Sequence, residues 1–220
     1  MGSAATWRAT AGECGKTPPT VERSTDDGAT WTDVTPTYRG LAQISSLDAF
    51  TDTQGELVGA VGSTCQTQAL RTFTQGQFWE SYPDVLAAST YLDPADPSVV
   101  VTPTGRVDAL CAAPTSLRSS DDEVALICDG SAYTLGRANS WTAVDVPDSL
   151  ALAMSPEGIL VAHTSIGCTG VAVSLVAPSA APVQVACATT VDPAVGPVAI
   201  ASDGDRLLVW AGGVVTDLAL

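Results

Sequence analysis

Apolar positions along this chain fall in short runs of Val, Ile, Leu and Ala, broken by Gly, Pro, Asp or Ser at intervals of roughly eight to twelve residues. Helical spacing of apolar residues is almost absent. The pattern predicts an all-β chain, either a sandwich, a barrel or a propeller. The longest test of that reading is the stretch from Gly158 to Val191, which holds no Asp, Glu, Lys or Arg. Pro178 and Pro182 interrupt it, Ser and Thr are interleaved, and Gly158, Gly167 and Gly170 punctuate it. It is therefore read as two buried β-hairpins and not as a membrane helix, which needs about 20 continuous apolar residues.

Internal repetition separates the all-β alternatives. Residues 23–31, Arg-Ser-Thr-Asp-Asp-Gly-Ala-Thr-Trp, align without gaps on residues 71–79, Arg-Thr-Phe-Thr-Gln-Gly-Gln-Phe-Trp. Arg, Gly and Trp stand at identical offsets. A weaker third copy ends at Trp141, behind a strand expected over 131–136. Upstream of each Trp lies another apolar strand closed by a cysteine, over 6–14, 56–65 and 123–128. A fourth unit opens with 158–168 and continues through strands at 170–177 and 182–187. A fifth contains strands at 198–201, 206–210 and 214–218. The expectation is a single β-propeller of five units, 1–37, 40–85, 115–147, 150–188 and 196–220, with antiparallel blades of three or four strands. Residues 86–114, rich in Asp-Pro and Thr-Pro, fit no unit and are read as an insertion between blades.

Ser24, Asp26, Gly28, Thr30 and Trp31 occupy every position of a Ser/Thr-x-Asp-x-Gly-x-Thr-Trp pattern. This resembles the Asp-box of BNR-repeat proteins. Thr72, Gly76 and Trp79 form a degenerate copy, with Thr74 where the Asp should be. The family includes sialidases, sortilin-type receptors and a photosystem assembly factor, and the resemblance implies a β-propeller. The segment Tyr91–Asp93 followed by Pro94, ahead of a Cys-containing loop, is similar to exported actinobacterial propeller domains, which implies a compartment and no activity. Physically, the Asp side chains can accept backbone N–H groups in the turn, Gly28 supplies a positive φ, and Trp31 and Trp79 are expected to fold back as apolar plugs.

Twenty-four acids against nine bases give a formal charge of −15. That excludes a phosphate-tracking nucleic-acid binder and disfavours anionic membranes. An apolar fraction of 45% still allows a core. The six cysteines, Cys14, Cys65, Cys111, Cys128, Cys168 and Cys187, contain no CxxC pair and share the chain with a single histidine, which argues against zinc and for disulfides in an exported protein. Fifteen connectivities are open to six cysteines. Local pairing favours Cys168 with Cys187 and Cys111 with Cys128, leaving Cys14 for Cys65. The start at Met1 has neither a basic nor an apolar leader, so a signal or anchor is expected to have been removed upstream.

Catalytic constellations are hard to assemble. The eight arginines are scattered from Arg8 to Arg206 and none stands in the sialidase Arg-Ile-Pro context. His163 has no Gly-x-Ser-x-Gly elbow to serve. The acid pairs Asp26/Asp27, Asp93/Asp96, Asp121/Asp122 and Asp203/Asp205 lack calcium-loop spacing and are read as solvated turn residues. The sequence thus points to a secreted or membrane-anchored, non-catalytic module with an unidentified protein or glycan ligand and no cofactor, metal or nucleic acid. A sialidase-like glycoside hydrolase and a small-ligand sensor domain are the alternatives. Arg, Glu and Tyr gathered round one pocket would favour the enzyme, and an exposed aromatic patch would favour a protein partner.

Overall fold

The structure, a computed structural model, describes residues 5–120, 123–136 and 138–220. It is all-β, with six antiparallel sheets of three or four strands, each a meander in which strands follow one another in chain order. The chain divides into two units, Met1–Asp108 and Ala109–Leu220.

In the first unit, β1 (Thr6–Thr10), β2 (Thr20–Ser24) and β3 (Thr32–Asp33) form one sheet. A second comprises β4 (Leu41–Ala49), β5 (Gly55–Val61), β6 (Gln66–Thr72) and β7 (Glu80–Ser81). The short helix α1 (Pro83–Ala88), with Pro83 in its first turn, leads to β8 (Tyr91–Asp93), β9 (Asp96–Thr102) and β10 (Gly105–Asp108), the third sheet. Val21, Leu41, Ile44, Leu57, Val61, Leu70 and Trp79 make the core between the first two sheets.

The segment expected as an insertion is therefore a sheet, and six sheets stand where five units were expected. Its Asp-Pro pairs concealed it, because proline cannot donate to a ladder. Here Pro94 sits in the β8–β9 turn, and Pro97 lies beyond the last β9–β10 pair, Val99 with Asp108, so neither removes a needed N–H on that side. The β-branched run Val99-Val100-Val101 supplies the central strand. Cys14 and Cys65, expected to close strands, lie in turns, Cys65 at φ +54°.

The second unit begins with β11 (Thr115–Ser119), β12 (Val124–Cys128), β13 (Ser131–Leu135) and β14 (Trp141–Ala143). Then come β15 (Ser149–Ser155), β16 (Gly158–Ser165), β17 (Cys168–Val176) and β18 (Val183–Ala188), followed by β19 (Val198–Asp203), β20 (Arg206–Ala211) and β21 (Val214–Ala219). The charge-free stretch is β16 to β18, with Val161, Ala162, Val171 and Val173 fully buried. Gly170 allows this tight packing, since a Cβ there would lie 2.0 Å from the carbonyl oxygen of Ala188. No helix among the described residues is long and apolar enough to cross a membrane.

The sulfurs pair as Cys14–Cys65, Cys111–Cys128 and Cys168–Cys187, with Cα separations of 6.1, 5.7 and 5.8 Å. Three disulfides point to an oxidising, extracytoplasmic environment.

Candidate functional site

Two loops carry the repeated residues, one joining β2 to β3 and the other β6 to β7. In the first, Ser24 Oγ accepts the N–H groups of Gly28 at 2.9 Å and Asp26 at 3.3 Å, and its hydroxyl donates to Asp26 Oδ1 at 2.8 Å. Asp26 then accepts the Thr30 N–H at 2.8 Å and the Thr30 hydroxyl at 2.6 Å. In the second, Thr72 Oγ1 accepts from Gly76 N at 3.1 Å and Thr74 N at 3.2 Å, and Thr74 Oγ1 accepts from Phe78 N at 2.9 Å. A threonine hydroxyl thus does at position 74 what a carboxylate does at 26. The backbones agree as well, with left-handed pairs at Asp27 (φ +54°) and Gly28 (+85°), and at Gln75 (+61°) and Gly76 (+84°). A Cβ on Gly76 would also lie 2.6 Å from Val34 Cβ.

The Thr30 hydroxyl, the Thr30 N–H and the Ser24 hydroxyl hold the Asp26 carboxyl below the ordinary aspartate range. Because the folded-state value is the lower one, these bonds stabilise fully above about pH 4 and weaken as pH falls through the folded-state value. Asp26→Asn should therefore flatten the acid limb of a plot of melting temperature against pH. An unchanged acid limb would show that the loop does not depend on the carboxylate.

The two tryptophans differ. Trp79 is buried: its Nε1 donates to Val34 O at 3.0 Å, its ring meets Trp7 edge-on at 6.1 Å, and its backbone N–H is accepted by the Tyr38 hydroxyl. Tyr38 Oη and Arg39 Nε both donate to its carbonyl at 2.9 Å. Trp31 is only half-buried, contrary to the expected plug. It stands at the outer edge of a three-stranded sheet beside the exposed two-residue β3, and its cover is the guanidinium of Arg8, 4.0 Å from the ring centroid. Arg8 in turn donates to Glu22 at 2.8 Å.

What distinguishes the second loop is its surface. Phe73 and Phe78 occupy the positions of Thr25 and Thr30 in the first. Together with Phe50 they are all the phenylalanines of the chain, and they are 50%, 66% and 55% exposed. Phe50 follows β4, Phe73 follows β6 and Phe78 precedes β7, which places all three at one end of the second sheet. The two loops involved are joined there by the Gln75 N–H donating to Thr53 O at 2.9 Å. The Arg71 guanidinium lies 5.6 Å from the ring centroids of both Phe50 and Tyr82 and is fixed by Glu56, which accepts from its Nε at 2.9 Å. Phe73 meets Tyr82 at 6.2 Å. This cluster was not foreseen from the sequence, although the aligned repeats carried its signal in the two Thr-to-Phe exchanges.

The other candidates form no reactive group. Of the arginines, Arg23 donates to Asp52 O, Arg106 to Asp93 at 2.7 Å and Arg206 to Asp217 at 3.0 Å, so they fasten strands and loops and do not converge. Arg137, Asp121 and Asp122 lie outside the described residues, as does the start of the chain. His163 is buried, with Nε2 2.9 Å from Ser174 Oγ and Nδ1 3.0 Å from Thr164 O, so its second nitrogen meets a carbonyl and no carboxylate. Among the described residues no group of His, Cys, Asp or Glu is arranged to hold a metal. Asp93, for one, already spends its oxygens on Ala95 N and Arg106.

No protein-family model matches the chain, and no curated protein matches it in sequence. Among solved structures it is similar to a candidate gluconolactonase, with 13% identity over 98% of this chain and 78% of that one at a TM-score of 0.40. A candidate glycoside hydrolase from Parabacteroides distasonis gives 9% identity over 98% and 86%, with a TM-score of 0.42. YCF48 from Cyanidioschyzon merolae gives 16% identity over 91% and 66%, with a TM-score of 0.33. At similarities this low, the all-β assignment rests on the chain's own sheets.

Proposed function

We propose that this chain is a non-catalytic binding module of the extracytoplasmic compartment, a β-propeller of Asp-box type in which each meander sheet is a blade. Sequential antiparallel meanders of three or four strands support the blade reading, and the matched hydrogen bonding of the two loops supports the Asp-box. The disulfides and the acidic charge suit a secreted or membrane-anchored protein.

One observation carries the binding role: the aromatic end of the second sheet. Phenylalanine is ordinarily among the most buried residue types, yet here every one is at least half exposed and all three stand at one end of the second sheet. The equivalent loop in the first sheet makes the same turn with threonines, so the turn itself does not require the rings.

A photo-crosslinking residue installed at Phe73 should give a discrete adduct in intact cells of the source organism, whereas the same residue at the exposed Ile166 of the second unit should not. Equal labelling from both positions would remove the patch as a contact surface, and turnover of a fluorogenic sialoside would overturn the non-catalytic reading.

A further inference from the structure

The patch has an electrostatic character as well as an aromatic one. Asp48 of β4 pairs in register with Glu56 of β5, Glu56 with Arg71 of β6, and Arg71 with Glu80 of β7. One rung across the sheet therefore holds three carboxylates and one guanidinium, and side chains in register across neighbouring strands project from the same face. Glu56 neutralises Arg71, and Glu80 is exposed and makes no ion pair among the described residues. Glu80, two residues beyond Phe78, thus sets an exposed carboxylate beside the rings.

We propose that this face docks a polypeptide segment of a protein partner that carries Arg or Lys beside aliphatic or aromatic residues. The inference rests on the reading of the patch as a contact surface and names what it contacts. Three observations select this occupant. The chain's charge of −15 opposes a second copy of itself and an anionic lipid surface alike. Glu80, exposed and in no ion pair among the described residues, offers charge-assisted pairing to an incoming cation next to apolar area, and the aromatic rings offer cation–π contact. A sugar stacked across several rings would need a coplanar platform, whereas Phe50 and Tyr82 both face the same guanidinium and Phe73 and Tyr82 meet at 64°. The fixed Arg71 also holds two of the rings in place before a partner arrives, which reduces the ordering cost of binding.

The first loop supplies the control variant. Phe73→Thr/Phe78→Thr restores the residues that the first loop carries at the same backbone geometry, so it removes the aromatic surface with little cost to folding. A random peptide display library would be selected on the intact chain and counter-selected on this variant. The recovered peptides should be enriched in Arg or Lys together with apolar residues. The best of them, measured by fluorescence anisotropy, should bind the double variant at least about tenfold more weakly, as expected for loss of an aromatic anchor. Its affinity should fall with salt, and less steeply in Glu80→Gln. Unchanged melting temperatures in both variants would show that the losses are local.

Enrichment of acidic peptides, or peptides that bind the double variant equally well, would overturn the proposal. Chitohexaose and anionic vesicles serve as the competing probes. If either binds and loses its binding in the double variant while no basic peptide is recovered, the partner class falls and the contact surface stands. If no probe depends on the two rings and Phe73 gives no adduct in cells, both readings fall together.

Discussion

Replacing Trp79 with alanine should lower the unfolding free energy by about 3–5 kcal/mol, the cost typical of truncating a fully buried aromatic side chain. The residue concentrates several interactions in one place. Its ring fills the core between the first and second sheets, against Trp7 and beside Val21, Leu57 and Leu70. Its Nε1 satisfies Val34 O, and its backbone is held by Tyr38 and Arg39. Alanine would leave a cavity and an unpaired carbonyl, and it would loosen the wall on which the second loop rests. Trp79→Phe separates the contributions: it keeps most of the ring and loses the Nε1 bond, so it should cost about 1–2 kcal/mol. Trp31→Ala should cost no more than about 1.5 kcal/mol, because its partner is a guanidinium at a sheet edge and exposed cation–π pairs contribute about 0.5–1 kcal/mol. Urea unfolding followed by far-ultraviolet circular dichroism checks all three. If Trp31→Ala proved as costly as Trp79→Ala, the two loops would be energetic equals and the burial difference would carry no weight.

The contrast between these tryptophans also marks how far the sequence could be read. Alternating β-branched runs and turn residues are local properties, and they placed β16 to β21 within a few residues because each strand carries its own turn signals at both ends. The repeat at 23–31 and 71–79 rested on hydrogen bonds within eight residues of chain, which is why a Thr could stand for an Asp with the same turn retained. Burial of Trp31 and Trp79 is not local. It depends on which neighbouring sheet covers the loop, and the motif is silent on that. The third sheet was lost for a related reason: a proline matters only on the side where a strand must donate, and that side follows from pairing partners, not from composition. The aromatic patch lay between these cases. Its residues were visible in the aligned repeats, but Phe50 and Tyr82 join Phe73 only through the pairing of β4 to β7.

Removing the Cys14–Cys65 bond should destabilise the chain more than removing either other disulfide, because it closes the longest loop. The cysteines are 51 residues apart, against 17 for Cys111–Cys128 and 19 for Cys168–Cys187. If disulfides act chiefly by restricting the unfolded chain, the expected losses are about 4 kcal/mol for the first and about 3 kcal/mol for each of the others. The position of the bond adds to this. It ties the turn carrying the Glu13–Thr17 bridge, next to the first sheet, to the turn between β5 and β6 in the second, so it links two sheets where the other two act within about twenty residues of chain. Paired Cys→Ala variants, unfolded in denaturant one disulfide at a time, give the ranking directly. Cys128 and Cys168 are buried whereas Cys14 and Cys65 are not, so alanine at the shorter bridges also removes core volume and biases the comparison against the expected order. A larger loss for Cys14→Ala/Cys65→Ala despite that bias is the expected result, with loop length and the link between two sheets acting in the same direction. A smaller one would place most of the disulfide stabilisation in native packing and take from this bond its special role in holding the first two sheets together.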